Sequence, residues 1–296
     1  MSKIAPCLWL DGQAEQAAAL YLSVFGGSTT AVSRYGEDMH GPVGAVLMVE
    51  LDLAGQRVQI LNGGPMFAPN PSVSCFAHAD DADETRRRFD ALAPGGSVLM
   101  PLDAYPWSPC YAWVQDRFGV SWQLITGRRP ASGATIVPCL MFSAAQHGRA
   151  EEALRAYSAL FPESSVDSLE PYAPGEGPEG TLKHGRFTLA GQPFVAMDSH
   201  YAHDITFSEG VSLAVRCADQ AEVDRLWAAL GDGGRPGPCG WLVDRFGLSW
   251  QIVPERLSEL FAQDDREAIG RMFHAMLPMG CLDLAALEAA YHGTTG

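Results

Sequence analysis

The chain has 296 residues, 47% hydrophobic and 19% charged, which suits two folded domains and not a disordered polypeptide. Its 35 acidic against 20 basic residues give a formal net charge of -15, which disfavours nucleic acid and anionic membrane surfaces as partners. No apolar run approaches the roughly 20 residues of a membrane span, the N-terminus lacks a signal peptide's apolar stretch, and seven Cys are scattered without a CxxC. These features predict a cytoplasmic protein with reduced, mostly buried thiols.

In chain order, Ile4 to Leu10 reads as a strand. Asp11-Gly12 then opens a helix over about 13–25, with Ala14, Ala17, Ala18, Tyr21, Leu22 and Phe25 at helical spacing. Gly26-Gly27 ends it. Strands are predicted at 29–35, 45–53 and 57–61, the last two joined by Ala54-Gly55, and Asn62-Gly63-Gly64-Pro65 breaks the pattern. A second cycle follows: a strand at 73–78, a helix at about 82–92 capped by Asp80, and strands near 97–100, 111–115 and 121–126. The order is βαβββ, twice. Strands and helices do not simply alternate, which argues against a doubly wound parallel sheet.

The whole pattern then repeats. Asp116-Arg-Phe-Gly-Val-Ser-Trp-Gln-Leu-Ile125 returns as Asp244-Arg-Phe-Gly-Leu-Ser-Trp-Gln-Ile-Val253, with only apolar-for-apolar changes. Pro6-Cys7-Leu8 is matched by Pro138-Cys139-Leu140, Tyr21 and Phe25 by Tyr157 and Phe161, Leu53-Ala-Gly-Gln56 by Leu189-Ala-Gly-Gln192, and Asn62 by Asp198. Asp80 is matched with Asp219, and Trp113 with Trp241. The predicted architecture is α+β: a first domain over 1–127, a linker over 128–133, a second domain over 134–254 and a helical tail over 255–296. The tail has helical spacing at 257–261, 268–277 and 284–291, with Asp283 as a cap, and packs on the body or on a partner. A homodimer is one arrangement this allows.

Two βαβββ–βαβββ units closing on Asp-x-x-Gly-x-x-Trp-Gln resemble the vicinal oxygen chelate superfamily of glyoxalases, extradiol dioxygenases and bleomycin-resistance proteins. The nearer resemblance is to its PhnB-like branch, often labelled 3-demethylubiquinone-9 3-methyltransferase. It rests on Pro6-Cys-Leu-Trp-Leu-Asp-Gly12, on Asn62-Gly-Gly-Pro65, on 239–254 and on the tail segment Leu284-Ala-Ala-Leu-Glu-Ala-Ala-Tyr291. It implies two domains, each a curved mixed sheet around a pocket. Enzymes of the superfamily hold a divalent metal with His and Glu at four inward strand positions. Carried over, those positions fall near Ala5, Gln59, Val73 and Gln123, and near Val137, Val195, Ser212 and Gln251. Neither set supplies His or carboxylate, so no metal site of that type is expected.

Gln123 and Gln251 are the only amides within their apolar strands, and the preferred reading has them facing a ligand rather than neighbouring backbone. Gln59 and Asn62 join them as candidate ligand contacts. Trp9, Trp113 and Trp241 are either aromatic walls for a flat ligand or core, whereas alternation puts Trp122 and Trp250 opposite the Gln side chains and in the core. Asp198, His200 and His203 form a dense polar cluster that could move protons, with solvated loop residues as the ordinary alternative. Cys7, Cys139, Cys110 and Cys239 lack a base and read as structural thiols. Gly231-Asp-Gly-Gly234 follows a helix and reads as its stop, so no S-adenosylmethionine site is expected. The expected function is metal-free binding or sequestration of a small flat or amphiphilic molecule. The alternative is an enzyme of the same fold, a lyase, isomerase or dioxygenase, using His/Asp acid–base groups or an atypical metal. The second repeat is expected to be the working half.

Overall fold

A computed structural model of the chain describes residues 2–37, 39, 41–127, 129–130, 132–201, 204–263 and 265–294. The first module is β1 (Ile4–Leu10), α1 (Ala14–Phe25), β2 (Ser28–Arg34), β3 (Val46–Leu53) and β4 (Gln56–Asn62). The second is β5 (Val73–Ala79), α2 (Ala82–Leu92), β6 (Ser97–Tyr105), β7 (Ser108–Gln115) and β8 (Ser121–Thr126). The third is β9 (Ile136–Phe142), α3 (Ala150–Leu160), β10 (Ser165–Pro171), β11 (Leu182–Leu189) and β12 (Gln192–Asp198). The fourth is β13 (Val211–Cys217), α4 (Gln220–Gly231), β14 (Arg235–Pro236), β15 (Trp241–Val243) and β16 (Ser249–Pro254). Helices α5 (Glu255–Phe261), α6 (Arg266–Met276) and α7 (Leu284–His292) form the tail.

The strands form two eight-stranded mixed sheets, and each sheet takes one module from each sequence repeat. Sheet one runs β14-β15-β16-β13-β1-β4-β3-β2, joined where β1 pairs antiparallel with β13 (Cys7 opposite Ser212). Sheet two runs β10-β11-β12-β9-β5-β8-β7-β6, joined where β5 pairs antiparallel with β9 (Ser74 opposite Cys139). Any pocket on a sheet therefore belongs to both repeats, and the search for a working half by repeat does not apply.

Strand alternation sorts side chains to two environments. On β1, Ile4, Leu8 and Leu10 enter a core that continues through all four modules and their helices, while Ala5, Cys7 and Trp9 face away from it. Within each repeat the modules meet through that core. Tyr21 and Phe25 of α1 pack on Trp122 of β8, and Tyr157 and Phe161 of α3 pack on Trp250 of β16. Asp116 sits between them, 3% exposed. Its Oδ2 accepts Tyr21 Oη–H (2.8 Å) and Trp122 Nε1–H (3.0 Å), and its Oδ1 accepts the backbone N–H of Phe118 and Val120. Asp244 repeats this with Tyr157 (2.6 Å), Trp250 (2.8 Å), Phe246 and Leu248. The turn closing each motif has Gly119 and Gly247 at φ +84° and +85°, which explains the Gly shared by the two strings.

The N-cap of α2 is Asp81, which accepts from Glu84 N, and not Asp80, which instead pairs with Arg129. The fold thus aligns Asp81 with Asp219, the cap of α4. Strand β6 runs through Pro101 to Tyr105, because it is an irregular edge strand where a missing N–H costs no ladder bond. Val73 lies in the helix-side core, and Ser74 takes the inward position assigned to it. The tail packs on the body: Cys239 N and Gly240 N bond Met279 O and Gly280 O, Gln220 bonds Leu282 O and Leu284 N, and Val253 of β16 joins the tail's own apolar cluster.

Replacing Asp116 or Asp244 by Asn sets an amide against the indole N–H, donor against donor. Each substitution is expected to cost roughly 1–3 kcal/mol of stability, read as a lower urea midpoint with an unchanged slope.

Candidate functional site

The face of each sheet turned away from the common core is a trough. In sheet one the inward positions carry Ala5, Cys7 and Trp9 on β1, Arg57, Gln59 and Leu61 on β4, and Glu50 on β3 from the first repeat. Ser212, Ala214 and Arg216 on β13, Gln251 on β16 and Trp241 on β15 come from the second. Cys7 lies beside Gln59 on one side and Ser212 on the other. Gln251 Nε2 donates to Ser212 Oγ at 2.9 Å, and its Oε1 accepts no hydrogen bond among the described residues. At one end, the rings of Trp9 and Trp241 meet edge to face at 5.8 Å, with Phe67 on the other side of Trp9. Trp9 donates to Gly64 O at 2.8 Å, and its ring lies on Gly63, where a Cβ would be 2.2 Å from the indole. Toward the other end, Glu50 is buried and accepts from Arg216 (2.7 and 3.0 Å) and Gln59 (2.9 Å). Glu50, Arg57 and Arg216 were not singled out in the sequence, although all three share the inward parity of Gln59.

Sheet two fills the same positions differently. Cys139, Val195, Ser74 and Gln123 stand where sheet one has Cys7, Gln59, Ser212 and Gln251. Gln123 is 2% exposed and satisfied on its own face: Tyr111 Oη–H donates to Oε1 at 2.6 Å, and Nε2 donates to Ser74 at 2.9 Å. Phe76, Tyr111, Val137, Cys139 and Val195 close over the centre as an apolar cluster, and Trp113 packs beside them with its Nε1–H on Ser121. Counting back from Trp241, Cys239 stands in the sequence where the first repeat has Tyr111; it lies outside β15 with its Sγ on Met276 O, so no phenol pairs with Gln251 as Tyr111 does with Gln123.

Gln123 therefore lies inward as expected but is already paired, while Gln251, Gln59, Trp9 and Trp241 converge on the other face. Trp122 and Trp250 are in the core, as alternation requires. Asn62 does not face either trough: its Oδ1 accepts Ala14 N and its Nδ2 donates to Val46 O, fixing the start of α1. Asp198 does the same in its repeat, accepting Gly148 N, Ala150 N and Leu182 N. His200 stacks on Tyr201 and meets Tyr172 edge-on, and His203 lies outside the described residues. Burial pushes the Cys7 thiol up to about 11 and the Cys139 thiol up to about 12, so both are neutral and non-nucleophilic. The donor set Cys7, Gln59, Ser212 and Gln251 offers a divalent ion no charge and does not fit one. Among the described residues, no three His, Cys, Asp or Glu side chains group closely enough to hold a metal. No helix among them is long and apolar enough to cross a membrane.

Two eight-stranded sheets built from crossed βαβββ modules define a glyoxalase-like fold. Glyoxalase I from Zea mays has it: the structure of one point mutant is 14% identical over 86% of this chain and 95% of its own, with a TM-score of 0.56. The chain belongs to the 3-demethylubiquinone-9 3-methyltransferase family, whose model matches residues 2–125 and again 134–253. A Bacillus cereus protein described as a putative 3-demethylubiquinone-9 3-methyltransferase, PhnB protein, is 33% identical over 43% of this chain and all of its own, with a TM-score of 0.40. No curated protein matches the chain at a significant level.

His78 on sheet two is held down to about 4 from 6.5 by burial and by Arg129, Arg88 and His184. Because the folded value lies below the unfolded one, its neutral form supports the fold above pH 6.5, and that support is lost as pH falls toward 4. The melting temperature is expected to drop less between pH 6.5 and 4 in His78→Gln than in the parent chain.

Proposed function

We propose that the protein binds and sequesters a small flat or amphiphilic molecule in the trough of sheet one, without a metal. The observation that carries this is the contrast between the two equivalent amides. Gln123 has both ends paired within an apolar cluster, whereas half-buried Gln251 has only its Nε2 paired among the described residues. A ligand hydroxyl or N–H supplies the missing donor. The Trp9 and Trp241 rings offer a flat apolar partner an aromatic wall, and the Glu50–Arg216 end suits a polar group. The neutral donor set supports the metal-free reading.

The acid–base alternative is weakened at Asp198, whose Oδ1 accepts the Gly148 and Ala150 N–H at the start of α3 and whose Oδ2 accepts the Leu182 N–H at the start of β11. Methyl transfer is not carried over from the family description. The Gly231–Gly234 stretch ends α4, and Gly234 packs closely against Val243 O.

Titration with 2-naphthol, a flat neutral probe, tests the reading. Trp241→Ala and Gln251→Leu are each expected to weaken binding by about tenfold, and Trp113→Ala to leave it near the parent value. The largest loss in Trp113→Ala would place the ligand on sheet two. Stoichiometric Zn, Mn, Ni or Fe in the purified protein would overturn the metal-free part.

A further inference from the structure

Arg57 is 4% exposed, yet most of its guanidinium is unpaired. From β4 it reaches across β1 and donates Nη2 to Ala214 O on β13 at 3.4 Å, a long bond. The small Ala5 and Ala214, neighbours in the β1–β13 register, leave the room for it to do so. Nε and Nη1 are buried and have no acceptor. An unsatisfied buried guanidinium is costly, and such a group persists where something else completes it.

The neighbouring carboxylates do not complete it. Asp52, opposite Arg57 in the β3–β4 register and on the same crevice, accepts Gly55 N and forms no hydrogen bond with Arg57 among the described residues. Glu50 accepts from Arg216 through both oxygens and from Gln59. Lys3 pairs with Glu222. Glu255, the first residue of α5, acts on Arg57 through space and forms no hydrogen bond with it. Burial and the Arg216 charge hold the Arg57 guanidinium down to about 10, the direction expected of a cation short of acceptors. Two openings lie beside it: a cavity of about 350 Å³ lined by Ser2, Lys3, Arg216, Ala218 and Glu255, and a crevice of about 20 Å³ that reaches Arg57 and Thr30. Ser2 borders both.

We infer that this end of the sheet-one trough is an oxyanion site, in which Arg57 holds the carboxylate or phosphate group of a small acidic ligand. Nη1 with Nη2 presents a two-pronged donor to two oxygens of one acid group. The inference rests on sheet one being the binding face. It adds that the amphiphile is anionic at the Arg57 end and flat toward Trp9 and Trp241.

The test uses the full chain at constant ionic strength, with benzoate, inorganic phosphate and neutral benzyl alcohol as probes and the melting temperature as readout. Benzoate or phosphate is expected to raise the melting temperature with concentration, and the stronger of the two identifies the acid group. Arg57→Met, which removes a buried unpaired charge, is expected to fold with an equal or higher melting temperature and to bind the anion at least tenfold more weakly. No response of the parent chain to either anion overturns the inference whatever the variant does, and so does an equal response in Arg57→Met. Benzyl alcohol binding as tightly as benzoate, with neither affected at Arg57, leaves the trough reading standing and removes the oxyanion site. Anion binding through Arg57 without binding of benzyl alcohol or 2-naphthol does the reverse.

Discussion

The fold depends on two buried carboxylates. Asp116 and Asp244 each sit where a helix of one module crosses a strand of the next, and each is surrounded by a phenol, an indole and two backbone N–H groups. Burial pushes both carboxyls up from the ordinary value, and the four donors oppose that shift. An ionised group in this position requires all of its donors, so the motif tolerates little change. Tyr, Asp, Gly and Trp recur together because they are one hydrogen-bonded unit, and that unit fixes how the modules of a repeat sit against each other.

The sheets add a second, independent tie. The carboxylate hubs join modules one to two and three to four through the core, and the sheets join one to four and two to three through β1–β13 and β5–β9. A ring of four modules results, with two troughs on its outer faces. The two faces differ in content. One carries polar groups and a half-buried amide; the other has Phe76, Tyr111, Val137 and Val195 at its centre. The tail accentuates the difference, since α5 begins directly after β16 and its cluster takes in Val253 on the polar side.

Much of this was legible in the sequence. The duplicated string revealed the repeat, alternation sent Trp122 and Trp250 to the core, and local patterning located α1 and α2, with α3 and α4 following from the repeat. Crossed pairing was not legible, because strand alternation says which face a residue takes but nothing about which strand lies beside it. For that reason the sequence places Trp9 and Trp241 in different domains, although their rings meet. Asn62 and Asp198 misled for a local reason: a polar side chain after a strand serves equally well to bind a ligand or to hold a helix start, and only the hydrogen bonds decide. Arg57 and Arg216 could have been found, since each lies on the inward parity of its own strand, Arg57 two residues from Gln59 and Arg216 four from Ser212.

The crossed pairing has an evolutionary consequence. A single repeat on its own would carry two unpaired half-sheets, with the ladder sides of β1 and β5 bare, and could close them only against a second copy of itself. Two identical copies would make two identical troughs, so any residue gained for one would be imposed on the other. Joining the copies in one chain lifts that symmetry. Glu50 and Arg216 come from different repeats and meet in one trough only. Covalent fusion therefore allows the two faces to carry different residues.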